Sequence, residues 1–351
     1  MSRPRVDRRK LWLLAGLLLL VTLLATGCSE KYPQSALSPV GKTAKEADSL
    51  WNLVFGIAVV IFFLVEGVLV YALVKFRQRP GREPAQFHGN TKLEVTLTII
   101  PALILAGIGV PTVKTIFDVA RHPTGSNVLN ITVTAHQFWW QFEYPQQHIV
   151  TANELHMPTG TPVWVSLKGA DVIHSFWVPA LSGTQDVVPG HVNHVMFETD
   201  KPGVYLGQCK EFCGLSHANM RVRVFVQSPA AYQTWVAQQQ QPAVSSSLSA
   251  DAAAGEKLFL HGATGGAFPG GPACSGCHSV LGTSALGVVG PNLTHFGSRT
   301  RLAGETYVNN TSNLSNWLAD PSAMKPGVDM PKLGLSSTQI RELVAYLQSL
   351  K

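Results

Sequence analysis

The sequence predicts a multidomain chain with three units in series: a two-helix transmembrane hairpin, an all-β sandwich and a small all-α domain. Three observations carry this reading. Two apolar stretches of bilayer-spanning length, at about 50–74 and 95–117, lie in the first third of the chain. From about residue 127, segments rich in Val, Ile, Thr and aromatic residues alternate with Pro and Gly, a strand pattern at sandwich-like spacing. After an uncharged Ser-rich stretch, helical patterns return around a Gly- and Pro-rich middle. At 351 residues the chain is long enough for two or three domains. Its 46% hydrophobic and 14% charged fractions point to membrane segments.

The elements follow in order. A basic MSRPRVDRRK precedes the apolar LWLLAGLLLLVTLLATGC, which makes residues 1–27 a secretory signal. It ends in Leu24-Ala25-Thr26-Gly27-Cys28, similar to a bacterial lipoprotein cleavage box that leaves Cys28 as the lipidated first residue. Ala25 stands where the usual box has leucine, and an uncleaved anchor is the alternative. Residues 28–117 hold a short N-terminal segment and the two spans. The first span carries one charge, Glu66, which is costly unless it faces protein or water; no role is assigned to it. The second contains Pro101 and Pro111, which spans tolerate when neighbouring helices pack against them. Lys75, Arg77, Arg79, Arg82 and Lys92 lie between the spans, so this loop is cytoplasmic. Everything after the second span then lies on the outer face, periplasmic or extracellular, of a bacterial cell membrane.

Residues 118–241 form the sandwich, with VLNITVTAHQFWWQFEY, TPVWVSLKG, VNHVMFET and MRVRVFVQ as strand runs and 229–241 as a closing helix. Residues 242–250 read as a flexible linker, which leaves open a mobile final domain. In 251–351, AAAGEKLFLHG is helical, and SSTQIRELVAYLQSL is a helix capped by Ser336 with Gln339 completing a capping box. A small loop-rich α-domain needs help to fold, and a covalent cofactor supplies it. Residues 1–117 hold 14 Lys+Arg against 7 Asp+Glu, whereas 118–226 hold 6 against 8. The net charge of +6 therefore belongs to the membrane part and is not a nucleic-acid surface.

Four of the five cysteines form two close pairs, a spacing that favours metal or cofactor attachment over a disulfide framework. In CSGCH, Cys274 and Cys277 can add to the vinyl groups of haem c while His278 reaches the iron. The rival, a thioredoxin-like motif, lacks a surrounding βαβ pattern. Met330 is the favoured sixth ligand and Met324 its competitor. A Met/His pair suits electron transfer rather than oxygen binding. In QCKEFCGLSHANM, Cys209, Cys213, His217 and Met220 gather soft and borderline metal donors. His174, in DVIHSFWVP, is the natural second imidazole. Zinc and a Cys209–Cys213 disulfide are the rivals at this loop. His136, His191 and His194 read as packing or hydrogen-bonding residues, and Met157 and Met196 as core.

HSFWVP, QDVVPG and QCKEFCGLSHANM together closely resemble subunit II of haem–copper cytochrome c oxidase, with its binuclear copper A (CuA) centre in a cupredoxin sandwich. The tail resembles class I cytochrome c, and the fusion resembles the caa3-type branch. The likeness covers nearly the whole mature chain. It implies that Cys209 and Cys213 bridge two coppers, that His174 and Met220 complete one, and that His217 and the Glu211 carbonyl complete the other. It implies that the Glu211 side chain reaches a magnesium or manganese shared with subunit I, near Asp186. It implies that Pro291 orients His278, and that Glu94, in GNTKLEVTLTIIP, is the carboxylate at the mouth of a proton channel. Phe138 replaces the tryptophan through which many relatives receive electrons from a separate cytochrome c, which fits delivery from the tethered haem. The expected function is transfer of electrons from haem c to CuA and on to haem a of subunit I, for oxygen reduction with proton pumping. Catalysis of oxygen reduction lies outside this chain. Expected partners are subunit I, subunit III, an external cytochrome c or other one-electron donor, and the membrane.

The alternative is the electron-input subunit of a CuA-containing nitric oxide reductase, against which Glu94 argues. A copper-carrying assembly lipoprotein needs neither the haem tail nor two spans. A quinol-oxidase subunit has lost the copper ligands, and all are present here.

Overall fold

The structure, a computed structural model, describes residues 12, 15, 16, 18–20, 22, 33–81, 83, 89–125, 127–243, 248–262 and 273–351. Cys28, most of the signal 1–27 and residues 244–247 of the linker lie outside these.

Two helices, α1 (Lys42–Lys75) and α2 (Thr91–Ala120), are long and apolar enough to cross a membrane. Asn90 caps α2 by accepting the Leu93 N–H at 3.2 Å. Both helices extend beyond the predicted spans. At its outer end α1 is clamped to the sandwich. The Val40 and Gly41 N–H groups donate to Ala180 O at 2.8 and 2.9 Å, and Lys42 N–H donates to Glu198 O at 2.9 Å. The buried Thr43 hydroxyl bonds Leu181 O at 3.2 Å and Met196 O at 3.1 Å. Only glycine fits at position 41, because an added Cβ would lie 2.0 Å from Leu181 O.

The sandwich comprises β1 (Leu129–His136), β2 (Trp139–Tyr144), β3 (Ile149–Ala152), β4 (Glu154–Pro158), β5 (Val163–Gly169), β6 (His174–Trp177), β7 (Gln185–Val187), β8 (Asn193–Phe197), β9 (Gly203–Cys209) and β10 (Arg221–Gln227). They form two five-stranded sheets, ordered β3-β2-β1-β5-β8 and β4-β10-β9-β6-β7. The pairs β1–β5 and β4–β10 are parallel. Strict alternation in β1 turns Leu129, Ile131, Val133 and Ala135 inward, as a half-buried strand requires. The buried aromatic centre includes Trp140, Phe142 and Phe176, with Trp140 and Phe176 edge-to-face at 4.9 Å. Met157 and Met196 are core residues, as expected. The closing helix α3 (Pro229–Gln239) is capped by Ser228 and buries Tyr232 and Val236.

His156 lies flat between Phe225 and Trp235, with ring centroids at 4.6 and 4.3 Å. Burial lowers its pKa to about 4, against the raising effect of its bond to Gln227. The folded state therefore resists a proton that the unfolded chain accepts below about 6.5. This contribution is present above that pH and is lost as pH falls toward 4. Between pH 7 and 4 the sandwich is expected to lose roughly 3 kcal/mol through this residue. Urea-unfolding midpoints of wild type and His156→Gln against pH check it, and equal slopes for the two would refute it.

The last unit packs α4 (Ala250–His261) against α7 (Ser337–Ser349), with the short α5 (Thr311–Ala319) and α6 (Pro321–Met324) between them in sequence. The approach of α4 to α7 is close enough that a Cβ on Gly255 would lie 2.0 Å from Glu342 O. The predicted capping box is formed: Ser336 Oγ accepts from Gln339 N–H at 3.2 Å, and Gln339 Oε1 accepts from Ser336 N–H at 2.8 Å. A two-stranded hairpin, β11 (Arg301–Leu302) with β12 (Tyr307–Val308), faces the sandwich. Across this junction Glu154 accepts the Thr300 N–H at 2.7 Å and its hydroxyl at 2.5 Å. Arg223 Nε donates to Glu305 at 3.0 Å, and Arg221 N–H donates to Gly304 O at 3.2 Å.

Candidate metal centre and haem cavity

β9 ends at Cys209, and the chain returns as β10 beside it after an eleven-residue loop, 210–220. β6 pairs on the other side of β9, with Phe176 opposite Cys209. This order places His174, at the start of β6, over the loop. Cys209 and Cys213 Sγ are 3.9 Å apart and both buried. His174 Nδ1 lies 3.9 Å from Cys209 Sγ, and His217 Nδ1 3.6 Å from Cys213 Sγ. Met220 Sδ lies 3.8 Å from Cys213 Sγ, and the Glu211 carbonyl oxygen 3.2 Å from Cys209 Sγ. All six predicted donors thus lie in one connected cluster around the two sulfurs, with the donor atoms of His174, Cys209 and Cys213 within 4.8 Å of one another. The sulfur separation rules out a disulfide in this state. The Met220 thioether, buried in the same cluster, is a soft donor that a zinc Cys2His2 site leaves without a role.

The thiols are electrostatically distinct. The bond from Cys213 holds the Cys209 thiol well below its ordinary pKa against the opposing burial, aided by His174. The same contact, with burial, pushes the Cys213 thiol up. The pair shares a proton that a soft cation displaces. Asp171, which the sequence reading missed, accepts from His174 Nε2 at 2.7 Å and leaves Nδ1 facing the sulfurs. Burial would raise the Asp171 carboxyl, but the bonds from His174 and from the Gln137 and Val172 N–H groups hold it below its usual range. Gln137 also donates its side-chain amide to the Cys213 carbonyl. The Glu211 side chain is exposed, as is Asp186 in β7. His136 stacks on Trp139 at 4.3 Å, and His194 contacts Ser166 Oγ at 3.3 Å; neither joins the cluster.

The second site is a largely apolar cavity lined by Cys274, Cys277, His278 and Met330. His278 N–H bonds back to Cys274 O at 2.9 Å, and His278 Nδ1 bonds Pro291 O at 2.8 Å, leaving Nε2 free. Loop 287–290 lies directly on the motif: a Cβ on Gly290 would be 2.5 Å from the His278 ring. Met324 does not line the cavity, and its carbonyl accepts the Tyr307 hydroxyl at 2.8 Å. Two cysteines, an oriented imidazole and a facing thioether in one apolar cavity fit a covalent haem c. Arg299 lines the same cavity, half-buried, with its Nε unpartnered and its Nη2 donating to Asn292 O at 2.5 Å. It is a basic side chain on the wall of an otherwise largely apolar cavity. Its sequence signal is faint: it is the first charged residue after an uncharged run, 279–298.

The two sites meet at Phe138. Its ring lies 3.1 Å from where a Cβ on Gly214 would be, and 3.5 Å from where one on Gly327 would be. It also lines the cavity, with Gln137 and Trp139. Lys325, from the loop that leads to Met330, donates to Phe138 O at 2.6 Å and to Ala303 O at 3.0 Å. Ser216, in the metal loop, donates to Pro326 O at 2.5 Å. In the membrane part, Glu94 sits in the first turn of α2, and Glu66 stands exposed on α1.

Comparison with known proteins agrees with this geometry. Three family descriptions match the chain in order: "Cytochrome C oxidase subunit II, transmembrane domain" over residues 11–115, "Cytochrome C oxidase subunit II, periplasmic domain" over 146–227, and "Cytochrome c" over 252–351. The chain is similar to cytochrome c oxidase subunit 2 of Alkalihalophilus pseudofirmus, at 37% identity over 97% of this chain and 99% of the relative. It is also similar to cytochrome c oxidase subunit 2 of Bacillus subtilis, at 34% identity over 97% and 98%. A quinol oxidase subunit 2 of Bacillus anthracis is 32% identical over 67% of this chain and 83% of its own length. A membrane hairpin, a β-sandwich with a thiolate cluster and a haem-type cavity, matched over 97% of the chain by the two cytochrome c oxidase relatives, show that the chain belongs to the cytochrome c oxidase subunit II family and carries a fused C-terminal cytochrome c domain.

Proposed function

We propose that this chain is the electron-input subunit of a caa3-type oxidase. It passes single electrons from a covalent haem c to a binuclear CuA centre and on to haem a of subunit I, where oxygen is reduced to water with proton pumping. The observation that carries this reading is the meeting of the haem-type cavity and the thiolate loop at one residue, Phe138. When bound, the two cofactors supply one-electron chemistry with little change of geometry. Cys209, Cys213, His174, His217, Met220 and the Glu211 carbonyl would hold the copper centre. Asp171 fixes the tautomer and direction of His174. Cys274 and Cys277 would attach the haem covalently, and His278, Met330 and Arg299 line the cavity that would hold it. The exposed Glu211 side chain would hold a magnesium or manganese at the contact with subunit I. Glu94, at the cytoplasmic start of α2, would receive protons for the channel. Lipidation at Cys28, subunit III as a partner, an external cytochrome c as donor and a bacterial cell membrane location complete the proposal. The full donor set favours a copper-bearing subunit over a quinol-oxidase one.

Electron paramagnetic resonance on the oxidised, copper-loaded full chain tests it. Hyperfine splitting from one electron shared by two coppers is expected beside a low-spin haem signal. A single-copper pattern, or no copper signal beside a normal haem, overturns the reading.

A further inference from the structure

We propose that Lys325 is a positioning residue that fixes the cytochrome domain against the copper loop, so that electrons cross between two stationary sites at Phe138 without a domain swing. The inference rests on the electron route proposed above. Lys325 is 2% exposed. Its amine crosses the domain boundary to the Phe138 carbonyl while holding Ala303 O of its own domain. It has no carboxylate partner among the described residues. A buried amine answered only by carbonyls is a poor stabiliser, and an apolar side chain of the same length would be cheaper to bury. What the amine supplies instead is direction. Its hydrogen bonds tie the backbone of Phe138 to the loop that carries Met330, and two further features repeat the tie. Ser216 bonds Pro326 O, and the glycine at 304 leaves room for the amine, since a Cβ there would lie 2.4 Å from Lys325 Nζ. The bonds from Glu154 to Thr300 and from Arg223 to Glu305 hold the same boundary at its far end. A domain held at both ends by buried polar contacts differs from a carrier that must detach to deliver.

The test uses the assembled oxidase and measures flash-induced transfer from haem to copper, with amide hydrogen exchange on the full chain as an independent readout. In wild type, the rate is expected to be unchanged by added glycerol and by lengthening the Ser245–Ser247 linker. In Lys325→Met, haem and copper spectra stay normal, the transfer slows by about tenfold, the order expected for loss of a hydrogen bond, and the rate becomes sensitive to viscosity. The interdomain Arg221 and Thr300 amides exchange faster. A wild-type rate that falls with viscosity, or that changes with linker length, overturns the inference. So does a Lys325→Met variant with wild-type transfer and exchange. If that variant fails to assemble, the wild-type arms still decide. Absence of a two-copper signal in wild type instead refutes the functional reading beneath it.

Discussion

Cys213→Ser is expected to abolish the shared-electron copper signal and to lower oxygen consumption on reduced cytochrome c by more than about 100-fold. Loss of a residue beside a metal ligand typically costs 10–100-fold, and loss of a ligand costs more. Serine keeps the shape but offers a hard hydroxyl that stays protonated, so it can neither bridge two soft cations nor delocalise their charge. The neighbouring geometry predicts a graded series. Met220→Leu removes only a weak thioether at 3.8 Å from Cys213 and is expected to keep two coppers with an altered spectrum. Asp171→Asn keeps every ligand and weakens the orientation of His174. Copper-to-protein ratios and paramagnetic resonance on all three variants give the measurement. Two coppers retained in Cys213→Ser would remove that residue from the site.

The second large effect concerns the tail. The Cys274→Ala/Cys277→Ala double variant is expected to lose covalent haem and, with it, the fold of the last domain. The core there is a thin shell: Phe259, Leu314, Leu318, Leu343 and Leu347 line or border the cavity rather than one another alone. By the measure of removing a covalent cross-link from a small exported domain, the loss is about 2–5 kcal/mol. Haem staining on a denaturing gel and a thermal scan of the full chain check the two parts separately. The sandwich, with its own core around Trp140 and Phe142, should keep a separate transition, lowered by loss of the contacts that Thr300, Glu305 and Lys325 make with it. A tail that retains its cooperative transition without haem would contradict the expectation.

The sequence makes some of this architecture legible and hides the rest for a physical reason. CSGCH and QCKEFCGLSHANM carry their donors within a few residues, so spacing alone exposes them. The capping box of α7 is likewise a local signal and forms as read. His174 lies 35 residues before Cys209 and becomes a neighbour only because β6 pairs with β9. Asp171, Arg299, Glu154 and Lys325 were not found. Glu154 and Lys325 are buried by segments far away in the chain, up to 187 residues for Lys325, and Asp171 and Arg299 meet Gln137 and Thr151 only through the fold. Nothing in the local pattern separates such a residue from a solvated one. The helix ends were missed for a related reason. An apolar run marks the bilayer, whereas α1 continues as a polar helix from Lys42 and stops only where its N-terminus meets Ala180 and Glu198.

That clamp makes lipid thickness a variable in the placement of the sandwich. α1 is one unbroken rod from Lys75 to Gly41, where the backbone is wedged against Leu181. A helix rises about 1.5 Å per residue, so a bilayer that pulls the rod inward or tilts it to match its hydrophobic length carries the sandwich with it. The metal loop has no independent suspension. Chain length and sterol-like stiffening of the surrounding lipids would therefore register as a change in the height of the metal loop above the bilayer, with no residue of that loop altered.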